Sequence, residues 1–421
     1  MTPPPLDAPT AASAPSSPPS PTAAPGPPAG PPPALRLTRL MLSEVRSHAH
    51  AELRLASREA RVVVVSGENG TGKTNLLEAI SLLCPGRGLR GARPSEIGRV
   101  TPDGVLPWAV AGRFEGPHGP FDVGTGTPTD GGAPPEEALG RRVLRLDDAP
   151  VRSQAELARL VACVWLTPQM DRLFGEGASG RRRFLDRLAW ALEPSHAREV
   201  SAHDNAMAQR NRLLAEGGAR GADTAWLDAL EDAMARHGVA ATAARLATVA
   251  GLNDALAAGA AGAFPSAVLA LDCTVAARLA GQPALAVEDA MREALARNRA
   301  RDAGAGLATE GAHRCDLLLT HAPKGVPAAL CSTGEQKALL VSVVLAHAAL
   351  IARARGFAPI LLLDEVAAHL DARRREALFA ALAALPAQSF LTGTEEAAFD
   401  GLGAVAERWR AGGPEGLRRA A

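Results

Sequence analysis

The chain of 421 residues has no net charge to spend on a partner: 45 basic side chains balance 45 acidic ones. Bulk electrostatics therefore gives no support for nucleic-acid binding, and any such contact must rest on local patches. Cysteine is sparse too. The five (Cys84, Cys163, Cys273, Cys315, Cys331) are scattered, odd in number and never spaced as Cys-x-x-Cys. That pattern argues against a zinc or disulfide framework and predicts reduced structural thiols in a cytoplasmic protein. No apolar run approaches the roughly 20 residues of a membrane helix. The longest, around Ala338 to Ile351, is interrupted by His347, so no membrane contact is expected. The first 35 residues hold no Lys or Arg, so the basic start of a signal peptide is missing. They hold 14 of the 33 prolines, and residues 1–34 read as a disordered Pro/Ala-rich tail. Lysine is nearly absent: Lys73, Lys324 and Lys337 are the only three.

What is present begins near Leu35. Two strands with a polar turn at Arg46 to His48 precede Val62-Val63-Val64-Val65, a β-branched run that reads as a fully buried strand. A glycine-rich loop follows at once, and Thr74 to Ile80 opens a helix with apolar residues three and four apart. Further strands and turns fill 109–166, ending in Val164-Trp165-Leu166 before Thr167-Pro168-Gln169. From about Arg181 to Asn298 the text turns Ala/Leu/Arg-rich and helical, with a short strand at Val268 to Val275. Asp223 caps a predicted helix carrying Trp226, Leu227, Leu230 and Met234 on one face. Strand-like residues return at Cys315 to Leu319, a helix follows over 331–355, and Ile360 to Leu363 is a second buried strand. The fold class is α/β with an inserted helical lobe. The boundaries read as 1–34 tail, 35–185 first part of the head, 186–324 helical arm lobe, 325–412 second part of the head, and 413–421 tail.

Gly67-Glu68-Asn69-Gly70-Thr71-Gly72-Lys73-Thr74 is a complete phosphate-binding loop between strand and helix. Gly67, Gly70 and Gly72 let the backbone curl so that N–H groups point at phosphate oxygens. The helix start adds its positive end. Lys73 supplies a point charge to the β- and γ-phosphates of ATP, and Thr74 a hydroxyl to Mg²⁺. In a chain that otherwise uses arginine, a lysine there suggests a site needing a compact ammonium. Asp364-Glu365 ends a buried strand, as a Walker B pair does: Asp364 to hold Mg²⁺, Glu365 to deprotonate the attacking water.

Ser332-Thr333-Gly334-Glu335-Gln336 opens the long apolar helix. Its plain reading is a capping box between Ser332 and Glu335, which is compatible with an anion site at the same helix end. The motif sits one helix and one loop before Asp364, as the signature does in ABC-type ATPases. There it contacts nucleotide held by the other subunit, so Ser332, Gly334 and Glu335 imply an ATP-dependent homodimer. Ala368-His369-Leu370-Asp371 resembles the D-loop of that class. Gln169 stands where its Q-loop glutamine would, and Thr392 or Thr394 where transporters carry a switch histidine. Arg181-Arg182-Arg183 and Arg373-Arg374-Arg375 read first as solvated helix faces and second as DNA contacts. His313 and Asp316 have no partner with which to hold a metal.

Five segments together resemble one family. Gly67–Ile80 (GENGTGKTNLLEAI), Leu166–Phe174 with Arg181–Asp186 (LTPQMDRLF, RRRFLD), Gln209–Leu214 (QRNRLL), Ala312–Leu317 (AHRCDL) and Cys331–Leu339 (CSTGEQKAL) look like the RecF recombination and repair ATPases. The resemblance runs in order over about residues 35–410. It implies an ABC-type head with a helical arm lobe, weak ATP hydrolysis, and ATP-driven dimerisation on gapped, single-stranded or duplex DNA. It also implies action with RecR and RecO in loading RecA. The chain differs from the usual pattern at Cys315, where an acidic residue is common, and at Glu335, where glutamine is common.

Other ATPases share the loop. A transporter subunit would place its signature much closer to the loop than Ser332 lies from Thr74. A chromosome-organising ATPase of the SMC type needs long coiled coils, and no heptad register persists through 181–300. A third reading is a small-molecule phosphotransferase using the same loop, which a comparison of DNA-stimulated ATPase with phosphate transfer to metabolites would separate.

Overall fold

Four apolar segments that are far apart in sequence become neighbours in one sheet. The computed structural model describes residues 35–56, 61–128, 135–221, 223–412 and 416–420. The predicted leader at 1–34 lies outside the described residues. The central sheet runs in the order Cys163–Leu166, Ile360–Leu363, Ser389–Gly393, Val62–Ser66, Ala406–Ala411 and Leu417–Arg419. The first five strands are parallel. Val62 to Val65 and Ile360 to Leu362 are completely buried, as strands covered on both faces must be. Leu417–Arg419 pairs antiparallel with Ala406–Ala411, so the segment expected as a tail contributes an edge strand.

The helix Lys73–Leu82 leaves the C-terminal end of Val62–Ser66. A second, antiparallel sheet is ordered His48–Arg54, Arg36–Val45, Ala109–Gly116, Gly119–Gly126, Val143–Leu146 and Ala149–Pro150. Its strands alternate, burying Leu40, Leu42, Val110, Phe114 and Val123. The helix Thr333–Arg355 is long and apolar enough to cross a membrane by composition alone, but 83% of its apolar window is buried inside the protein. It is apolar on all sides because it is a core helix.

The inserted lobe holds His196–Gly221, Thr224–Ala257 and Ala284–Arg297, and the helix Ala178–Leu192 runs through the boundary expected between 185 and 186. Asp223 caps Thr224–Ala257, accepting from the N–H groups of Ala225 and Trp226 at 2.9 and 3.1 Å. Leu227, Leu230 and Met234 face inward as expected, whereas Trp226 is 52% exposed and lies off that face. The strand expected over Val268 to Val275 is Ala267–Asp272, and a helix, Thr274–Leu279, takes over.

The cysteines also depart from expectation: Cys273 and Cys315 are joined in a disulfide, their Cα atoms 4.4 Å apart. Strands Ala267–Asp272 and Asp316–His321 pair antiparallel with Asp272 opposite Asp316, so the next residues outward face one another. A separation of 42 residues conceals this in the sequence. Cys84, Cys163 and Cys331 are free thiols, and among the described residues no cluster of His, Cys, Asp and Glu could hold a metal.

Arg210 of the QRNRLL segment is the polar centre of the lobe. Its guanidinium is fully buried and donates to Glu231 at 2.9 Å, Asp302 at 2.8 Å and the Leu295 carbonyl at 2.7 Å. Removing one partner of such a network leaves buried charges uncompensated. Arg210→Ala should therefore lower stability by about 3–5 kcal/mol in urea unfolding followed by circular dichroism.

Burial also acts on His347, whose Nε2 lies 2.9 Å from the Leu188 carbonyl. Desolvation is the main cause that pushes its pKa from 6.5 down to about 3. The unfolded imidazole binds a proton more readily than the folded one. Stability from the neutral ring is thus full above pH 6.5 and lost as pH falls towards the folded value. His347→Gln, which keeps an N–H donor, should flatten the decline in urea midpoint between pH 6.5 and 4.

Candidate functional site at the ends of the parallel strands

The three loop glycines are required for three different reasons. Gly67 has φ +156°, and a Cβ there would lie 2.3 Å from the Ala411 carbonyl oxygen of the neighbouring strand. Gly72, at φ +91°, has the His48 ring and the Ser47 hydroxyl within 2.5 and 2.7 Å of its Cβ position. Gly70 has open space around it and needs only its left-handed backbone, φ +85°. Glu68 and Asn69 are exposed at the loop tip, and the Thr71 hydroxyl closes the turn onto the Glu68 carbonyl at 2.8 Å.

Lys73 is buried, and its ammonium donates to the Gly67 and Glu68 carbonyls, both at 2.8 Å. Burial lowers its pKa below the ordinary lysine value, with Glu365 and then Asp364 opposing. The Thr74 hydroxyl reaches both oxygens of Asp364, at 2.9 and 3.0 Å. The Thr392 hydroxyl donates to Asp364 Oδ1 at 2.7 Å and accepts from the Glu365 N–H at 3.1 Å. Glu365 itself takes a left-handed backbone, φ +51°. Two adjacent carboxylates, two hydroxyls and an ammonium thus meet where three parallel strands end. Thr394 lies on the other flank, lining a cleft of about 440 Å³ with Gly67, Glu68 and Thr71.

Gln169 is exposed on the 3₁₀ turn Pro168–Arg172, just past the strand that pairs with Ile360–Leu363. Ser332 is the exposed N-cap of Thr333–Arg355, and its N–H and hydroxyl both reach Glu335 Oε2 at 3.0 Å, closing the expected capping box. Lys324 pairs with Glu335, and with the Ser332 bonds it pulls that carboxyl down to about 2. Lys337, buried one turn further on, pairs with Asp171 of the Gln169 turn at 3.5 Å. All three lysines of the chain therefore lie on the loop or beside the signature. Sequence reasoning used that scarcity for Lys73 alone. It also missed His48, whose Nε2 lies 3.2 Å from the Gly72 carbonyl. Glu78 was missed as well, a buried carboxylate clamped by Arg46 and Arg90 at 2.7 and 2.5 Å.

With this geometry established, relatives can be compared. A model of the AAA domain family matches residues 39–105. The DNA replication and repair protein RecF of Mesorhizobium japonicum is 46% identical over 374 residues, covering 88% of this chain and 94% of that protein. Its counterpart in Agrobacterium fabrum is 48% identical over 373 residues, covering 88% and 95%. The chain belongs to the RecF family. A solved structure of the recombination mediator protein RecF with ATP, from the RecFOR pathway, shares the fold. It has a TM-score of 0.77 at 20% identity, covering 93% of this chain and 99% of that one. An SMC head bound to the winged-helix domain of ScpA is similar at a TM-score of 0.51 and 13% identity, covering 91% and 97%.

Two of the segments outside the loop, RRRFLD and AHRCDL, prove to be contact partners. Arg181 pairs with Asp316 at 2.7 Å, and Arg182 donates to the Cys315 carbonyl at 3.1 Å. Asp186 holds Arg245 at 2.7 Å, which in turn donates to the Ala312 carbonyl at 2.7 Å. RRRFLD and AHRCDL are thus two sides of one seam, and Arg181 is not a solvated face. The charge of Glu335 is matched by Lys324.

Thr392 is buried and joins both Walker B residues. Thr392→Val keeps its shape but strands the Glu365 N–H, so it should cost about 1–3 kcal/mol in denaturant unfolding.

Proposed function

We propose that this chain is an ATP-driven DNA clamp of recombinational repair and replication restart, acting in the cytoplasm. The observation that carries the reading is the convergence of Thr74, Thr392 and Asp364 within 3.0 Å, next to Lys73 and Glu365. A hydroxyl and a carboxylate meeting there fit a hard cation such as Mg²⁺, and an ammonium over a curled loop fits phosphate. Bound Mg²⁺ would supply charge neutralisation on the β- and γ-phosphates of ATP. Gly67 to Thr74 would cradle the phosphates with Lys73 as their counter-charge, and Thr74 and Asp364 would hold the metal. Glu365 accepts the proton of the attacking water. Thr392 fixes Asp364 and the Glu365 backbone, so both carboxylates stay aimed without a switch histidine.

Ser332 and Gly334 stand at a helix start that opens outward, which suits completion of the partner subunit's ATP site. Gln169, tied through Asp171 and Lys337 to the signature helix, relays the state of one site to the other. The head (35–185 and 325–412) and the arm lobe (186–324) are joined through the helix Ala178–Leu192 and a shared core, and dimerisation closes two such chains on gapped, single-stranded or duplex DNA. Slow hydrolysis times release. Action with RecR and RecO in loading RecA is part of the same reading, supported by relatives named as DNA replication and repair proteins.

Glu365→Gln should keep ATP binding, lower turnover by about 100-fold or more, and trap an ATP-dependent dimer on gapped DNA. Size-exclusion chromatography with light scattering reads this directly. A variant that stays monomeric with ATP and DNA overturns the clamp.

A further inference from the structure

A second cleft, of about 560 Å³, lies beyond the far end of the phosphate-loop helix and carries chemistry that ATP handling does not use. Its walls include Arg87, Arg183, Arg187, Trp165, Trp190 and His196. The guanidinium of Arg187 lies over the Trp165 ring at 4.7 Å. Among the described residues its hydrogen bond is to the Met170 sulfur at 3.4 Å, with no carboxylate paired to it. Desolvation lowers its pKa to about 9. The neighbouring carboxylate cannot help, because Asp186 is taken by Arg245 at 2.7 Å and by His196 Nε2 at 2.9 Å. Arg87 and Arg183 add two exposed guanidinium groups at the rim. Cations that find no anion within the protein are the usual mark of a site for an anion from outside it.

Two further polar atoms lack partners. Trp165 is 8% exposed and His196 1%, yet Trp165 Nε1 and His196 Nδ1 make no hydrogen bond. Nε2 of His196 faces the Asp186 carboxylate, which leaves Nδ1 as the unpartnered ring nitrogen. Buried polar atoms without partners are rare and call for an explanation. The residues lining the cleft thus bring together an unpartnered indole N–H, an unpartnered imidazole nitrogen, indole surface and three cations. The ligand that answers all four is a flat heterocycle with hydrogen-bonding edges and an anionic substituent.

We propose that this cleft binds a nucleoside monophosphate, its base against Trp165, Trp190 and His196 and its phosphate on Arg183 and Arg187. The position would make it regulatory. Pro85 to Gly88 continue the phosphate-loop helix, and Gly86 packs so closely on Trp190 that a Cβ would lie 2.7 Å from the ring. Trp165 sits on the strand that leads to Gln169. An occupant would therefore touch segments leading to both the loop and the Gln169 turn.

The test is a tryptophan-fluorescence titration of the full chain with AMP, CMP, GMP and UMP. Inorganic phosphate and adenosine serve as controls, and each titration is run in wild type and in Lys73→Ala. The expected result is saturable quenching by at least one nucleotide that survives in Lys73→Ala and that neither control reproduces. Arg183→Glu, an exposed change that leaves the circular dichroism spectrum intact, should weaken it by about tenfold or more. Absence of saturable quenching, equal binding of inorganic phosphate alone, or insensitivity to Arg183→Glu would overturn the proposal.

Discussion

The bond network of Asp364 is the constraint on which the head depends. Its carboxylate takes hydroxyls from Thr74 and Thr392, which come from opposite parts of the chain. Those bonds exist only if Val62–Ser66, Ile360–Leu363 and Ser389–Gly393 run parallel and end level. The backbone registers deliver this: Val64 opposite Leu391, and Leu391 opposite Leu363. A one-residue slip in any strand would turn Asp364 or Thr392 to the wrong face. The buried valines and leucines of these strands are therefore positioning devices as well as core.

Charge is divided between two tasks. Arginine builds the permanent seams: Arg210 inside the lobe, Arg245 between two helices, Arg181 between helix and strand, Arg46 and Arg90 on the phosphate-loop helix. A planar fork with several donors suits fixed carboxylates and carbonyls. Lysine, a compact and mobile charge, is kept for Lys73, Lys324 and Lys337.

What was legible in the sequence were features set by local chemistry. The phosphate loop, the buried strands, the Ser332–Glu335 capping box and the Asp223 cap each depend on residues a few positions apart, and each was found where expected. What was not legible depends on distant partners. The Cys273–Cys315 bond needs the register of two strands 42 residues apart. The edge strand Leu417–Arg419 exists because Ala406–Ala411 offers it a free side. Thr392 could be placed near the site by its strand, but its two bonds to the Walker B pair follow from register. Trp226 misled because it shares a helix turn with buried neighbours while pointing away from them.

The position of Val62–Ser66 between two late strands sets an order on biosynthesis. Ser66 bonds to the Trp409 carbonyl across 343 residues, so the strand carrying the phosphate loop has no sheet partners until nearly all the chain has left the ribosome. Until then Val62 to Val65 is an apolar, β-branched run with two open edges, the kind of segment that pairs wrongly when exposed. A chain that ends before Ser389 would therefore leave Val62–Ser66 without either of its sheet partners.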